Sequence, residues 1–382
     1  MDRMAFRLTD EETRIQDTAR RFARRDLLPL RREVNLAGRL SGELWARFQP
    51  LGFLRGPFPE PWGGAGGTFT GLVLAVEELA YASLVPCWLL LENFMLAYPL
   101  SRFGSEFLKN AYLAGLVGLE TVGALAFTEP DTGSDPAQLA TRGEKVDGGW
   151  VLNGTKRFIT YSGLCDHMIL FARTRPGVTA FLVEPKNEGY RAGRREVLFH
   201  DPAFDNGDAF LEGYVAPDAH VIGKPGQGFE ILLETEAVGK VLFCAMFTGM
   251  ARRALDLGTD YARTRTHRSV PIGHKFQMTQ WKIARVASRL EAMRAHLLGV
   301  SAAVDEGKDV TAEAAALKLV VAEDIRWMTA DAMEIHSAYG LSKEYEVFEL
   351  YQAAACAQAV MGSLDIQRVI VARSILQGKA FA

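Results

Sequence analysis

The chain has 382 residues, enough for two or three domains at about 150 residues each, and its 48% hydrophobic content can fill a large core. Its 43 basic and 46 acidic residues give a net charge of −3, and this near-neutral balance speaks against a nucleic-acid partner. The four cysteines (Cys87, Cys165, Cys244 and Cys356) lie far apart and form no CxxC pair. That spacing argues against a disulfide framework or a zinc site and favours a reducing compartment, so we expect a cytoplasmic protein.

Proline placement divides the chain into three segments. Residues 1–122 and 123–232 contain seven prolines each, whereas residues 233–382 contain one. Because proline interrupts helices, the last segment is predicted to form long helices. We therefore expect three domains, with boundaries at 122/123 and 232/233.

The first segment is predicted to be helical. Thr9 and Glu12 have the spacing of a capping box, apolar residues follow at helical intervals, and no apolar signal region precedes them. The stretch 82–101 is strongly apolar and carries one charge, Glu92, but two prolines interrupt it. It predicts a buried core helix rather than a membrane span, so no membrane partner is expected.

The middle segment changes to short apolar runs punctuated by turn residues. Residues 150–154, 167–172 and 178–183 are such runs, and they are typical of a small antiparallel sheet or barrel.

The last segment returns to a helical period. An apolar stripe runs from Leu317 to Ile335 at helical spacing, as expected for a helix packed in a bundle. The order predicts an α+β fold with an N-terminal helical domain (1–122), a central antiparallel β-domain (123–232) and a C-terminal four-helix bundle (233–382).

Two motifs carry the functional signal. Residues 127–135 read FTEPDTGSD and residues 153–160 read NGTKRFIT. They resemble the TEPxxGSD and NGxKxWIT motifs of the acyl-CoA dehydrogenase family of flavoenzymes, and the resemblance continues at residues 225–229 and 365–368. The histidines show no metal spacing, so no metal site is expected.

The resemblance implies an FAD site between the central domain and the bundle. Phe158, where the family usually has Trp, would form a wall for the flavin ring, and Thr160 and the Phe127–Thr128 backbone would contact its polar edge. Arg265 would neutralise the FAD pyrophosphate across a subunit interface, which implies a homodimer or homotetramer. The implied cofactor-binding residues are Phe127, Thr128, Ser134, Phe158, Ile159, Thr160, Arg265, Gln277, Glu334, Ser363 and Asp365.

The partner-side contacts depart from the family pattern. Glu334 stands where a Gln is usual, and an acid near a pyrophosphate would repel it unless the acid is protonated or turned away. The implied substrate contacts are Ser134, Lys240 and Met361. Lys240 stands where the family commonly has an arginine at the rim of the active site.

The usual catalytic base is missing. The family removes a proton with a glutamate, and the matching position here is Met361, whose thioether cannot accept a proton. An alternative base position used by some relatives corresponds to Gly239. We expect Glu92 to be the replacement, because an apolar setting would raise its carboxyl pKa toward neutrality. Glu236 is a weaker candidate.

The predicted function is FAD-dependent oxidation of a thioester-bound acyl group by a non-standard or relocated base. The thioester would be acyl-CoA or acyl-carrier protein, with an electron-transfer flavoprotein or oxygen as electron acceptor. Two alternatives stay open. One is oxidation of a carrier-protein-bound hydroxyacyl or aldehyde intermediate in a biosynthetic pathway, and the other is a catalytically inactive structural subunit of a mixed tetramer.

Overall fold

The structure is a computed structural model that describes residues 7–134, 138–196 and 205–379. Its helices are α1 (Asp10–Phe22), α2 (Arg31–Ala37), α3 (Gly42–Phe48), α4 (Phe69–Ala80), α5 (Val85–Phe103), α6 (Glu106–Leu108), α7 (Ala114–Val117), α8 (Gly228–Thr264), α9 (Ile272–Lys275), α10 (Gln277–Asp305), α11 (Thr311–His336), α12 (Val347–Ala353), α13 (Cys356–Ala359) and α14 (Leu364–Leu376). The order of helices, sheet and helices confirms the predicted α+β class.

The strands are β1 (Gly123–Ala126), β2 (Arg142–Val146), β3 (Gly149–Thr160), β4 (His167–Thr174), β5 (Gly177–Val183), β6 (Tyr190–Arg195), β7 (Asn206–Pro217), β8 (Val221–Ile222), β9 (Thr266–His267) and β10 (Val270–Pro271). The first eight form one sheet in the order β6-β7-β3-β2-β4-β5-β8, with β1 added on β4. The three apolar runs predicted as strands lie in β3, β4 and β5.

The central sheet is mixed rather than purely antiparallel. Most neighbouring strands run antiparallel, but β1 pairs with β4 in parallel through four residues, and β2 touches β4 in parallel at Arg142. The prediction of an antiparallel sheet therefore needs this correction. The parallel pair was not predicted because no hairpin turn joins β1 to β4, and a hairpin turn is the feature that indicates strand pairing in a sequence.

The chain divides into two compact units. One unit contains residues 32–72 and 85–239, and its described residues include the whole central sheet and α5. Its core includes Trp150, Met168, Phe181, Leu211 and Tyr214. Burying such side chains contributes about 1.5–3 kcal/mol each, and this core supports β3, the strand that carries the second motif.

The other unit contains residues 1–31, 73–84 and 240–382, which the structure describes from residue 7 to residue 379. The predicted capping box is present at its first helix, because the Glu12 N–H donates to Thr9 Oγ1 (3.1 Å) and the Thr9 N–H donates to Glu12 Oε2 (2.8 Å). Its long helices include α10, α11 and α14, together with α8 from Lys240 onward. Because these units draw on all three sequence segments, the division at 122/123 and 232/233 stays a prediction.

Helix α5 contains most of the strongly apolar stretch noted in the sequence. It is buried around most of its circumference, including Leu91, Glu92 and Phe94, as expected for a helix apolar on every side. Pro86 lies in its first turn, where a missing N–H costs little. Among the described helices, none is long and apolar enough to cross a membrane.

Candidate active site

The NGTKRFIT segment lies along β3, and its first two residues each have a local physical reason. Asn153 Oδ1 accepts a hydrogen bond from the Gly213 N–H on β7 (2.7 Å). Gly154 has φ +154°, and a Cβ there would lie 2.5 Å from Thr141 Oγ1 and 2.6 Å from the Thr141 Cα. Only glycine allows this close approach of two backbones.

Phe158 is exposed to solvent at a bulge in the sheet. The pairing of β3 with β7 is irregular between Lys156 and Ile159, and Phe158 has φ +57°. The residue is 50% exposed, and the Arg157 guanidinium lies 4.7 Å from the centroid of its ring. Asn206 Nδ2 donates to the Phe158 carbonyl (3.1 Å) and holds the bulge in place. An aromatic residue with left-handed backbone at a bulge is a strained feature of the kind found at functional sites.

Glu92 is buried beside the end of the same strand. Its side chain lies beside the Thr160 hydroxyl and the Leu125 N–H of β1, and the residue is 8% exposed. Burial raises the pKa of the Glu92 carboxyl to about 8, and these two polar neighbours offset the rise only in part. A carboxyl with such a pKa can take up and release a proton near neutral pH.

The neighbouring Asn93 shows how firmly this part of α5 is held. Its side chain donates to the carbonyls of Leu116 (2.9 Å) and Thr121 (2.8 Å) and accepts from the Gly123 N–H of β1 (2.8 Å). The Asn93 side chain therefore fixes α5 to β1 at the residue next to Glu92.

The sequence analysis missed two charged residues, Glu129 and Lys156, one from each motif. Their side chains are 2% and 0% exposed and form an ion pair of 2.8 Å beneath the motif backbones. Nothing in the sequence indicated that Lys156 would be buried, although it lies four residues before Thr160, because a lysine on a strand is ordinarily exposed to solvent.

The remaining predicted residues of this unit differ in exposure. Thr128 and Thr160 are half-buried and Ser134 is exposed. Phe127 is 7% exposed and meets Phe171 edge to face, and Ile159 is 2% exposed within the core. Any contact that Phe127 or Ile159 makes with a ligand would run through backbone atoms rather than side chains.

The other predicted cofactor residues lie in the helical unit. The Arg265 side chain is exposed, with its guanidinium 5.8 Å from the centroid of the Tyr339 ring. Gln277 is the exposed first residue of α10. Ser363 caps α14, and Asp365 forms an ion pair with Arg368 (2.7 Å).

Glu334 has a partner that the sequence did not indicate. Its carboxylate forms an ion pair with Lys282 while the side chain stays 56% exposed. The negative charge at this position is therefore balanced within the chain, and the expected repulsion of a pyrophosphate is correspondingly reduced.

Met361, at the position of the missing base, sits in a fixed turn. It has φ +59°, and the ammonium of Lys318, which is 0% exposed, donates to the carbonyls of Val360 and Gly362 on either side of it. Lys318 was not singled out from the sequence, where it directly follows Leu317, the first residue of the apolar stripe.

Lys240 is buried, with 5% of its surface exposed in this chain. The reason is its position within the apolar middle of α8, next to Val241 and Leu242, which are 0% exposed. Glu236, four residues earlier, is half-buried.

Comparisons with known proteins agree along the whole chain. Residues 9–120, 124–200 and 226–376 match the N-terminal, middle and C-terminal domains of acyl-CoA dehydrogenase. The chain belongs to the acyl-CoA dehydrogenase family. Acryloyl-CoA reductase (NADH) of Anaerotignum propionicum is 30% identical over 99% of this chain and 97% of its own length.

Two further similarities bear on this family member. The CarC subunit of the caffeyl-CoA reductase–Etf complex of Acetobacterium woodii is 28% identical over 97% of this chain and 99% of its own length. The structure of butyryl-CoA dehydrogenase from Megasphaera elsdenii superposes with a TM-score of 0.93 at 30% identity, covering 98% of this chain and 100% of that one. These matches confirm the predicted family, its fold and the class of a flavin-dependent oxidoreductase.

The described residues of the acyl-CoA dehydrogenase motifs fit a flavin ring. A planar aromatic cofactor needs an aromatic or apolar surface on one face and hydrogen-bonding groups at its polar edge. Phe158 offers a half-exposed ring, and the hydroxyl-bearing residues Thr128 and Thr160 are accessible in part. Asp135, the last residue of the first motif, lies outside the described residues.

Proposed function

We propose that this oxidoreductase acts on the acyl group of a coenzyme A thioester and uses Glu92 as its base. FAD is the cofactor, and when bound it accepts a hydride from the acyl chain. Phe158, Thr128 and Thr160 would hold its ring from the central sheet, and Ser134 would contact the flavin or the pantetheine arm of the substrate. Arg265, Gln277, Glu334, Ser363 and Asp365 are proposed contacts from the helical unit, with Lys240 and Met361 toward the substrate.

The observation that carries the proposal is the buried Glu92 carboxyl beside the Thr160 side chain. Thr160 belongs to the motif proposed to meet the polar edge of the flavin, so a carboxyl of raised pKa lies next to that motif. Neither Met361 nor Gly239 can take a proton. Glu92 is therefore the described carboxyl that best combines proximity to the motif with a pKa suited to proton transfer.

In the proposed reaction Glu92 receives the proton of one acyl carbon as the neighbouring carbon gives up its hydride. The electron pair left behind by the proton forms the carbon–carbon double bond, while the hydride leaves with its own electron pair. The protonated carboxyl returns its proton to solvent after the product leaves. Burial of Glu92 lowers the cost of this transfer, because a desolvated carboxylate is a stronger base than an exposed one.

The proposed partners follow from the family. An electron-transfer flavoprotein is the proposed electron acceptor, supported by the Etf complex to which the CarC relative belongs. A homodimer or homotetramer is proposed because Arg265 is exposed and would reach a neighbouring copy's cofactor. The four cysteines are free thiols in the structure, consistent with the cytoplasm as the proposed compartment.

The experiment is an anaerobic titration of the purified FAD-loaded protein with saturated acyl-CoA thioesters, followed by flavin absorbance. Bleaching by a thioester supports the proposal. Because both relatives described above carry the name of a reductase or a reductase complex, the reverse reaction is measured by adding an α,β-unsaturated acyl-CoA to the reduced protein. Bleaching only by an acyl-carrier-protein thioester would overturn the coenzyme A substrate, and a protein that binds no flavin would overturn the function.

The base is tested separately. Glu92→Gln keeps an acceptor oxygen for the Leu125 N–H, and we expect it to retain flavin while flavin reduction slows about 10²–10⁴-fold. Glu212→Gln, an exposed position on β7 (76% exposed side chain), is the matched control and should leave the rate unchanged. If Glu92→Gln reduces flavin at the wild-type rate while Glu236→Gln does not, the base is Glu236 and Glu92 is a structural anchor of β1.

A further inference from the structure

A buried ion pair joins the two sequence motifs beneath the proposed flavin face. Lys156 Nζ lies 2.8 Å from Glu129 Oε1 and also donates to the Phe127 carbonyl (3.1 Å). Both side chains are essentially sealed from solvent, at 0% and 2% exposure. One ammonium thus holds both a carboxylate and a backbone carbonyl of the first motif.

The Glu129 carboxylate extends this linkage to a third segment. It accepts hydrogen bonds from the N–H groups of Ala140 (2.5 Å) and Thr141 (3.0 Å), immediately before β2. The Glu129 backbone also exchanges hydrogen bonds with Thr132 (2.8 and 3.2 Å), which closes a turn. The segment from Thr128 to Ser134 is therefore anchored where it leaves β1, and Glu129 ties it to the start of β2.

The pair also fixes the first motif relative to Phe158. The Arg157 N–H donates to the Thr128 carbonyl (2.8 Å), and the ammonium of the preceding residue, Lys156, donates to the Phe127 carbonyl. Two consecutive residues of β3 therefore hold two consecutive residues of the first motif. Phe158 follows directly, with its ring exposed at the bulge. The wall residue and the proposed edge residue Thr128 are thus held in one arrangement.

Stability alone is a weak reason for such a pair. Removing two charges from water costs several kcal/mol per ion, and replacing a buried pair by neutral groups of similar volume is often neutral or stabilising. Burial lowers the pKa of Lys156 to about 8, while the Lys156 ammonium and the backbone N–H groups hold the pKa of Glu129 below its ordinary value. The cost of desolvation appears as the lowered pKa of Lys156. What the pair achieves is to fix the backbone of the first motif in one position.

We propose that Lys156 and Glu129 are positioning residues for the flavin: together they fix the Phe127–Thr128 backbone and the loop to Ser134 against Phe158, and so set the affinity for FAD and the environment of its ring. This inference rests on the proposed placement of the flavin on this face of the sheet. Neither residue touches the ring; each acts through the backbone that it holds.

The test compares Lys156→Met, Glu129→Gln and the double variant with the wild-type protein. Three quantities are measured: thermal unfolding of the apoprotein, the FAD dissociation constant from flavin fluorescence, and the visible absorbance spectrum of bound flavin. Each single variant leaves one buried group unpaired, so we expect a lower melting temperature and at least tenfold weaker FAD binding. The double variant should regain melting temperature, yet keep the weaker binding and an altered spectrum.

Lys145→Met is the matched control, because it breaks a lysine–aspartate pair of 2.7 Å that is about half exposed on the same sheet. It should leave all three quantities unchanged. A double variant that binds FAD with wild-type affinity and an unchanged spectrum would show that the pair is only structural and overturn this inference alone. A wild-type protein that binds no FAD would instead overturn the proposed function and this inference with it.

Discussion

The Thr160 hydroxyl lies beside the Glu92 carboxyl, which places the last residue of β3 next to the middle of α5. The Leu125 N–H lies beside the same carboxyl, so Glu92 is next to both β3 and β1, the strand that precedes the first motif. Substitution of either residue should therefore change the rate of proton transfer as well as the free energy of unfolding.

The rate of flavin reduction should depend on pH through Glu92. Its pKa is about 8, so the base form is the minor one at pH 6 and the major one above pH 8. We expect the rate to rise about tenfold per pH unit below pH 8 and to level off above it. Stopped-flow reduction between pH 6 and 10 measures this, and the slow residual rate of Glu92→Gln should show no such rise. A wild-type profile that is flat over this range would contradict the assignment.

Stability should depend on pH through the same residue, in the opposite sense. The folded chain holds the Glu92 proton with a pKa near 8, against 4.5 for an ordinary glutamate. This contribution is fully present below about pH 4.5 and is lost as pH rises through about 8, with a slope of up to about 1.4 kcal/mol per pH unit between the two values. Denaturant unfolding of the apoprotein from pH 5 to 8.5 should show this component in wild type and not in Glu92→Gln. Equal slopes in the two proteins would mean that the Glu92 pKa is not raised.

Removing the Thr160 hydroxyl should raise the Glu92 pKa further. A hydrogen bond to a charged group favours the ionised form by about 1.5–3 kcal/mol, so Thr160→Val should move the pH–rate profile upward by about one pH unit or more. Thr160→Ser keeps the donor and serves as the control, with a profile near that of wild type. Superimposed profiles for the valine and wild-type proteins would remove Thr160 from the proton-transfer site.

Phe158 should show opposite effects on stability and on cofactor binding. Its φ of +57° costs a side-chain-bearing residue about 1 kcal/mol or more, and glycine adopts this conformation freely. Phe158→Gly should thus leave the apoprotein as stable as wild type or more so, while the loss of the ring weakens FAD binding about tenfold or more. Phe158→Trp should retain binding. Unchanged FAD affinity in the glycine variant would show that the ring does not contact the flavin.

The turn at Met361 should depend on Lys318. Lys318→Met would leave the carbonyls of Val360 and Gly362 without the ammonium that bonds both of them, and each lost partner costs about 1–3 kcal/mol. We expect the free energy of unfolding to fall by about 3 kcal/mol, measured by urea denaturation. Lys308→Met, at an exposed lysine after α10, is the control. A loss below about 0.5 kcal/mol would show that solvent replaces the lysine.

Local patterns predicted the elements of the fold well. The capping box at Thr9, the apolar runs in β3, β4 and β5, and the buried helix around Glu92 each depend on residues close together in sequence, and each is present. The parallel pairing of β1 with β4 was not predicted, because it joins residues about forty positions apart and has no turn signature.

The site was predictable only where a motif carries it. The motifs led to Phe158 and Thr160, and an isolated charge in an apolar stretch led to Glu92. Glu129 and Lys156 could not be paired from sequence, because their contact depends on the bulged register of β3 and on the turn at Thr132. The burial of Lys240 was not predicted either, because a charge within a helix gives no indication of how deeply the helix is packed.

The left-handed bulge has a further consequence for how a planar ligand could be received. The aromatic side chain already stands clear of the sheet, and its carbonyl is tethered by Asn206. Little conformational freedom then remains to be lost at the moment of docking. Phe158 is already ordered when the chain has folded, so a planar ligand would bind to a surface that does not have to rearrange first.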